Sequence, residues 1–201
     1  MSGLELVIAV AAGYLIGAIP SGVLVGRLRG IDPRDSGSGR TGTTNALRSL
    51  GPRWAAAVAL LDVAKGVLAV VVGGIVGPEP WAGPLAGAAS VVGHVRSIFI
   101  GFGGGRGVAT GAGAMLVLAP LAVLASLPEF ALVVWQTRLV SLGSMLASVT
   151  VALVAAALYA VGWVGIEVVV AAALISVVVV IAHADNIGRL MDGTERRIGD
   201  G

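Results

Sequence analysis

The chain has 201 residues, of which 57% are hydrophobic and only 12% charged, with a formal net charge of +2 and a mean hydropathy of +0.97. Charged residues make up about a quarter of an ordinary soluble domain, so this composition excludes a soluble globular protein and a disordered chain alike and predicts an integral membrane protein. With no cysteine, disulfides, thiolate metal sites and thiol nucleophiles are excluded, and with two histidines a zinc centre would need carboxylate ligands. No metal, organic cofactor or nucleic-acid partner is expected.

Apolar runs at residues 4–25, 54–76, 81–95, 108–127, 130–135, 142–164 and 166–182 predict an all-α polytopic fold of about seven transmembrane helices, one domain over residues 1–201. The first run makes a helix of about 33 Å, enough to cross a hydrocarbon core. It follows no basic segment and is expected to be a retained helix, not a signal peptide. Between the runs lie four polar stretches, and every Lys and Arg except Lys65 falls in or beside them. The positive-inside rule makes these stretches cytoplasmic and the N-terminus external. Glu5, Glu79, Glu129 and Glu167 mark the expected external turns, including Gly77-Pro-Glu-Pro. The fifth pass is the anomaly: residues 128–137 are fewer than the roughly 20 needed to span, so this segment must be short, tilted or buried, or else the chain makes five passes with re-entrant segments.

The first polar stretch, Arg27 to Arg53, sets six arginines against Asp32 and Asp35 and contains Ser38, Arg40, Thr43, Thr44, Asn45 and Arg48 among closely spaced glycines. Glycines let backbone amides turn toward a ligand, while Ser, Thr, Asn and Arg add donors, a pattern suited to an anion. A loop that merely rests on anionic headgroups would need only Lys or Arg. In the second stretch, Gly103, Gly104, Gly105 and Gly107 surround Arg106 just before a new apolar helix, as in a phosphate-binding turn at a helix N-terminus. It lacks the Walker A spacing, and a tight turn between helices explains it equally well. On the second helix, Asp62 and Lys65 are spaced to neutralise one another or to reach a shared cavity. Arg138 and Ser141 mark a further cytoplasmic turn. His183 and Asn186 lie one helical turn apart after the last run, and Glu195 is expected to hold the tail by a salt bridge.

Six motifs follow one another in a single order: Tyr14-Leu-Ile-Gly-Ala-Ile-Pro-Ser-Gly22, Gly37-Ser-Gly-Arg-Thr-Gly-Thr-Thr-Asn-Ala-Leu-Arg48, Leu61-Asp-Val-Ala-Lys-Gly66, Gly101-Phe-Gly-Gly-Gly-Arg-Gly-Val-Ala-Thr110, Ser141-Leu-Gly-Ser144, and His183-Ala-Asp-Asn186 through Gly193-Thr-Glu195. Over nearly its whole length the chain resembles the bacterial acyl-phosphate:glycerol-3-phosphate acyltransferases. The resemblance implies transfer of a fatty acyl group from acyl phosphate to the 1-hydroxyl of glycerol 3-phosphate, giving lysophosphatidic acid for phospholipid synthesis at the bacterial inner membrane, with the active site facing the cytoplasm. It assigns catalysis to Ser38, Arg48, His183 and Asn186, substrate binding to Asn45, Lys65, Gly103, Gly104, Gly105, Arg106, Gly107 and Ser141, and a structural role to Glu195. The family usually carries Asn in place of Arg40, Lys in place of Arg106 and a basic residue in place of Ala184; the two arginines preserve anion binding but not a role for a small amide or a point ammonium.

Both substrates carry phosphate, and acyl phosphate is a mixed anhydride with a good leaving group. The protein mainly has to orient a hydroxyl and stabilise developing charge, and no covalent intermediate is required. The proton acceptor is either His183 or substrate phosphate. The His-x4-Asp pair of soluble-type glycerolipid acyltransferases is absent: Phe99 follows His94, and Gly188 follows His183, at that spacing. A partner enzyme delivering acyl phosphate fits the donor's reactive, amphipathic character, although no docking segment is identifiable. The competing classes are a phosphate or organic-anion transporter, which needs binding groups near mid-membrane, and a non-catalytic lipid-binding scaffold, which would tolerate Ser38→Ala.

Overall fold

The computed structural model describes residues 3–77 and 79–199; Pro78, in the expected external turn, lies outside them. Ten α-helices and two short 3-10 turns follow in sequence among these residues: α1 (Gly3–Ala18), α2 (Ser21–Arg27), α3 (Thr43–Leu50), α4 (Pro52–Val76), α5 (Ala82–Val95), α6 (Val108–Leu118), α7 (Pro120–Thr137), α8 (Val140–Ala160), α9 (Ile166–Ala182) and α10 (Ala184–Met191). The fold is all-helical, as the apolar runs predict. Four spans are long and apolar enough to cross a membrane: Gly3–Arg27, α4, α7 and α8. The pair α9 and α10, bent by 57°, makes a fifth when counted as one broken span, while α5 and α6 are shorter apolar helices.

Two expectations change. The first run is one span but two helices. Pro20 has no N–H to continue the ladder, and the chain breaks at Ile19–Pro20 before α2 resumes. The 108–127 run is not a single helix either. It ends at Ala119 (φ −152°, ψ 71°), and α7 then runs unbroken from Pro120 through Pro128 to Thr137. The segment too short to span is therefore the second half of an 18-residue helix. Glu129 marks no turn; it sits half-buried within α7 and accepts a hydrogen bond from Thr150 Oγ1 at 2.5 Å.

With lipid as apolar as the side chains, hydrophobicity alone does not drive these helices together, and close backbone approach takes its place. α1 packs on α5 and α4, α4 on α6, α7 on α8, and α9 on α5 and α8. The tightest contacts are between small residues. A Cβ at Gly13 or Gly17 of α1 would fall on the backbone of Ala86 or Ser90 of α5, and one at Gly66 of α4 would fall on the Thr110 carbonyl of α6. Large apolar side chains such as Leu60, Ile75, Trp135, Leu153 and Ile181 point outward, each at least 65% exposed, as lipid-facing positions should.

Candidate active site

A cavity of about 300 Å³ opens among the polar stretches. Four helix N-termini meet at it: Gly42, Thr43 and Thr44 of α3, Gly107, Val108 and Ala109 of α6, Val140 and Ser141 of α8, and His183 and Asn186 of α10. Each brings the positive end of a helix dipole, so the cavity favours anions before any side-chain charge is counted. Arg40, Arg48, Arg106, Arg189 and Arg196 also line it, against the carboxylates of Asp62 and Glu195. Ala59, Ala112 and Phe130 give it an apolar side. Four polar stretches remote in sequence thus become one cationic, half-apolar site.

The first loop is folded around Asn45, which is 2% exposed. Its Nδ2 donates to the carbonyls of Pro33 at 2.6 Å, Arg40 at 2.8 Å and Ser36 at 3.2 Å. Its Oδ1 accepts the Ser38 N–H at 2.8 Å. The amide donors expected to reach substrate are therefore occupied in shaping the loop that presents Ser38, and Gly37, at φ +62°, is tight because a Cβ there would fall on Asn45 Oδ1. Thr43, whose hydroxyl is buried without a hydrogen-bond partner, is a free donor on this wall.

Glu195 organises the opposite wall. Its side chain, 7% exposed, accepts from Ser141 Oγ at 2.8 Å, Asn186 Nδ2 at 2.5 Å and Arg189 Nε at 2.8 Å, joining the tail to α8 and α10. Burial pushes its pKa up, but these hydrogen bonds prevail and hold it below the usual glutamate value. The tail is fixed again where Ile198 N–H donates to the Arg138 carbonyl at 2.9 Å. His183 is 2% exposed, with Nδ1 2.7 Å from the Val179 carbonyl. A carbonyl only accepts, so Nδ1 carries the hydrogen and Nε2 of the neutral ring keeps its lone pair.

Lys65 and the start of the Gly loop lie behind the cavity, not on its surface. The Lys65 ammonium is surrounded by Asp62 Oδ1 at 2.8 Å, His94 Nδ1 at 2.7 Å and the Ile19 carbonyl at 3.0 Å. It thus caps a carbonyl at the Pro20 break, while Ser97 Oγ takes the Ala18 carbonyl at 2.5 Å. Asp62 and His94 do line the cavity; His94 was not singled out from the sequence, where its only signal is being the second histidine. In the Gly loop, Gly105 N–H donates to the His94 carbonyl, Gly103 N–H to Ile100, and the Gly104 carbonyl accepts from Thr41 N–H. Gly103 and Gly105 amides are thus used within the protein, and Gly104 and Gly105 are required for contact, since Cβ atoms there would fall on the His94 and Val95 carbonyls and the His94 ring. Only Arg106 and Gly107 of this loop reach the cavity.

The family profile described as Glycerol-3-phosphate acyltransferase matches residues 7–193. The chain belongs to the glycerol-3-phosphate acyltransferase family. The glycerol-3-phosphate acyltransferase of Symbiobacterium thermophilum is 45% identical over 97% of this chain and 96% of that protein. That of Geobacter sulfurreducens is 42% identical over 94% and 96%. Two crystal structures of PlsY (YgiH), an integral membrane glycerol 3-phosphate acyltransferase, in its glycerol 3-phosphate and lysophosphatidic acid forms, superpose with TM-scores of 0.87 and 0.86 at 34% and 33% identity, each over 96% of this chain. Arg106, the expected replacement for a lysine, is suited to this acyltransferase site: Nη2 donates to Asp185 Oδ2 at 3.1 Å and buried Nη1 has no hydrogen-bond partner. Burial draws the Arg106 pKa below its usual value, Asp185 opposes this, and Arg40 and Arg189 add to it. Because a guanidinium does not give up its proton, the group is left seeking an anion.

Proposed function

We propose that this membrane acyltransferase moves a fatty acyl group from acyl phosphate to the 1-hydroxyl of sn-glycerol 3-phosphate, forming lysophosphatidic acid and phosphate. The carrying observation is the single cavity in which Ser38, Arg48, Arg106, Ser141, His183 and Asn186 meet four helix N-termini beside an apolar wall. Two phosphates and an acyl chain need cationic and apolar surfaces side by side. The hydroxyl oxygen attacks the acyl carbonyl carbon as the bond from that carbon to the phosphate oxygen breaks, and the electron pair leaves on phosphate. Arg48, Arg106, the Thr43 hydroxyl and the helix dipoles, including that of α8 at Ser141, hold phosphate; the Ser38 hydroxyl supports the carbonyl oxygen as charge develops. Asn186 orients the glycerol backbone. His183 Nε2, left basic by the Nδ1 contact with Val179, takes the hydroxyl proton. Asn45, Lys65 and Gly103 to Gly105 support this surface from behind, and Glu195 fixes Ser141 and Asn186. No metal or cofactor enters these steps.

The clustering of arginine in the polar stretches supports a seven-pass domain over residues 1–201 with an external N-terminus, a cytoplasmic C-terminus and a cytoplasmic site in a bacterial inner membrane, fed by a partner enzyme that makes acyl phosphate. The deciding experiment supplies purified protein with labelled acyl phosphate and glycerol 3-phosphate, with acyl-CoA and acyl carrier protein donors alongside. Lysophosphatidic acid is expected from acyl phosphate, and its absence sinks the assignment. Arg48→Ala is expected to insert normally and lose turnover. Cysteines placed singly at Ser38 and Glu79 should be labelled from opposite faces; labelling from one face refutes the topology.

A further inference from the structure

Asp185, in the first turn of α10, is a carboxylate that the acyl-transfer steps leave unused. Three guanidiniums from three separate segments converge on it: Arg106 at 3.1 Å, Arg189 at 3.5 Å and Arg40 at 3.9 Å. All three arginines line the active-site cavity, whereas Asp185 does not; it lines a neighbouring cleft of about 360 Å³ that shares Arg40 with the cavity. The carboxylate therefore competes with a cavity ligand for the same cations from behind them. Arg106 shows the competition within one side chain, with Nη2 held by Asp185 and Nη1 buried, unpartnered.

The chemistry gives such a competitor a purpose. Both substrates are phosphate-bearing anions, and so are both products, so the site must release inorganic phosphate and a lysophospholipid after holding their precursors. Glu195 already pairs with Arg189, but without Asp185 the Arg106 and Arg40 guanidiniums, in a partly desolvated cavity above helix N-termini, would hold phosphate too tightly to turn over. Arg40 adds a third cation to the cluster, which makes a carboxylate within 4 Å of it more consequential. We propose that Asp185 is an internal counter-ion that weakens the arginine cluster's hold on phosphate enough for product to leave.

This inference rests on the acyl-transfer reading above, and its test separates the two. Full-length protein and Asp185→Asn, which keeps shape and removes the charge, are assayed for turnover of acyl phosphate and glycerol 3-phosphate with rising inorganic phosphate. Expected for the variant are a phosphate inhibition constant lower by on the order of tenfold, a lower KM for glycerol 3-phosphate, and a lower kcat. Asp185→Glu should return all three toward wild type. A phosphate inhibition constant unchanged or raised in Asp185→Asn makes Asp185 a mere tie between loops and overturns the proposal, as does an Asp185→Glu that binds phosphate as tightly as Asp185→Asn. Thermal stabilisation by added phosphate, measured on the same proteins, gives the same comparison without turnover; a wild type inactive with acyl phosphate defeats the functional reading alone. Asp185→Ser takes the place of Asp185→Asn if the latter does not fold.

Discussion

Lys65→Met is the sharpest test of how the site is held. The ammonium it removes is 6% exposed and lies within 3.0 Å of a carboxylate oxygen, an imidazole nitrogen and the Ile19 carbonyl at the Pro20 break. Methionine fills nearly the same volume, so the loss is electrostatic, not steric. Asp62, 1% exposed, keeps only the His94 ring, 3.5 Å away, in place of an ammonium, and removing one partner of a buried pair costs about 3–5 kcal/mol. The Ile19 carbonyl loses one of its two donors but keeps the Ser21 N–H at 3.0 Å, so it adds little. The assay is equilibrium unfolding in detergent, paired with acyltransferase turnover, since Asp62 and His94 both face the cavity. Lys65→Met should lose about 3–5 kcal/mol, and Asp62→Leu combined with it should recover most of that, because the uncompensated charge is gone. A single variant within about 1 kcal/mol of wild type, or a double variant whose losses simply add, would refute the reasoning.

Asn45→Ala removes the donors that gather the Pro33, Ser36 and Arg40 carbonyls; it should cost about 2–3 kcal/mol and depress kcat more than Thr44→Ala, checked by unfolding and steady-state kinetics. Gly104→Ala drives a methyl group onto the His94 and Val95 carbonyls, so a destabilisation of about 1–3 kcal/mol with loss of turnover is expected; unchanged activity would show that the loop moves freely. Glu195→Gln weakens charge-assisted bonds to Ser141, Asn186 and Arg189, and should cost about 2 kcal/mol at neutral pH. The sign of its pH dependence follows from a depressed pKa: the carboxylate's contribution is complete above the ordinary value of 4.5 and fades as pH falls through the lower folded value. Unfolding curves of wild type and variant should therefore draw together below about pH 4.5 and stay apart above it.

Charge placement carried much of the site into the sequence. Arginine is scarce in an apolar chain, so its confinement to a few Gly-, Ser- and Thr-rich stretches already marked the segments that meet at the cavity. Roles within those stretches were less legible, because they depend on what faces each side chain. Asn45 and Ser38 look alike as polar loop residues, yet one is buried under three carbonyls and the other opens to the cavity. Lys65 looks like a phosphate ligand until the Pro20 break, 45 residues earlier in the sequence, supplies the carbonyl it caps. Local rules ran out at Pro120 and Pro128 for the same reason. A proline lacks the backbone N–H in either place. At the first position of α7 that donor would have had no partner in any case, so the chain can end one helix and begin another there. Eight residues on, in a helix already packed against α8, continuing costs less than exposing a new pair of helix ends to lipid, where unmet backbone groups find no water. Glu129, beside Pro128, imitates the acid of an external turn, but Thr150 of α8 satisfies it inside the bundle. A polar residue in an apolar run marks a boundary only when no neighbouring helix offers it a partner, and that neighbour is a property of the packing, not of the run.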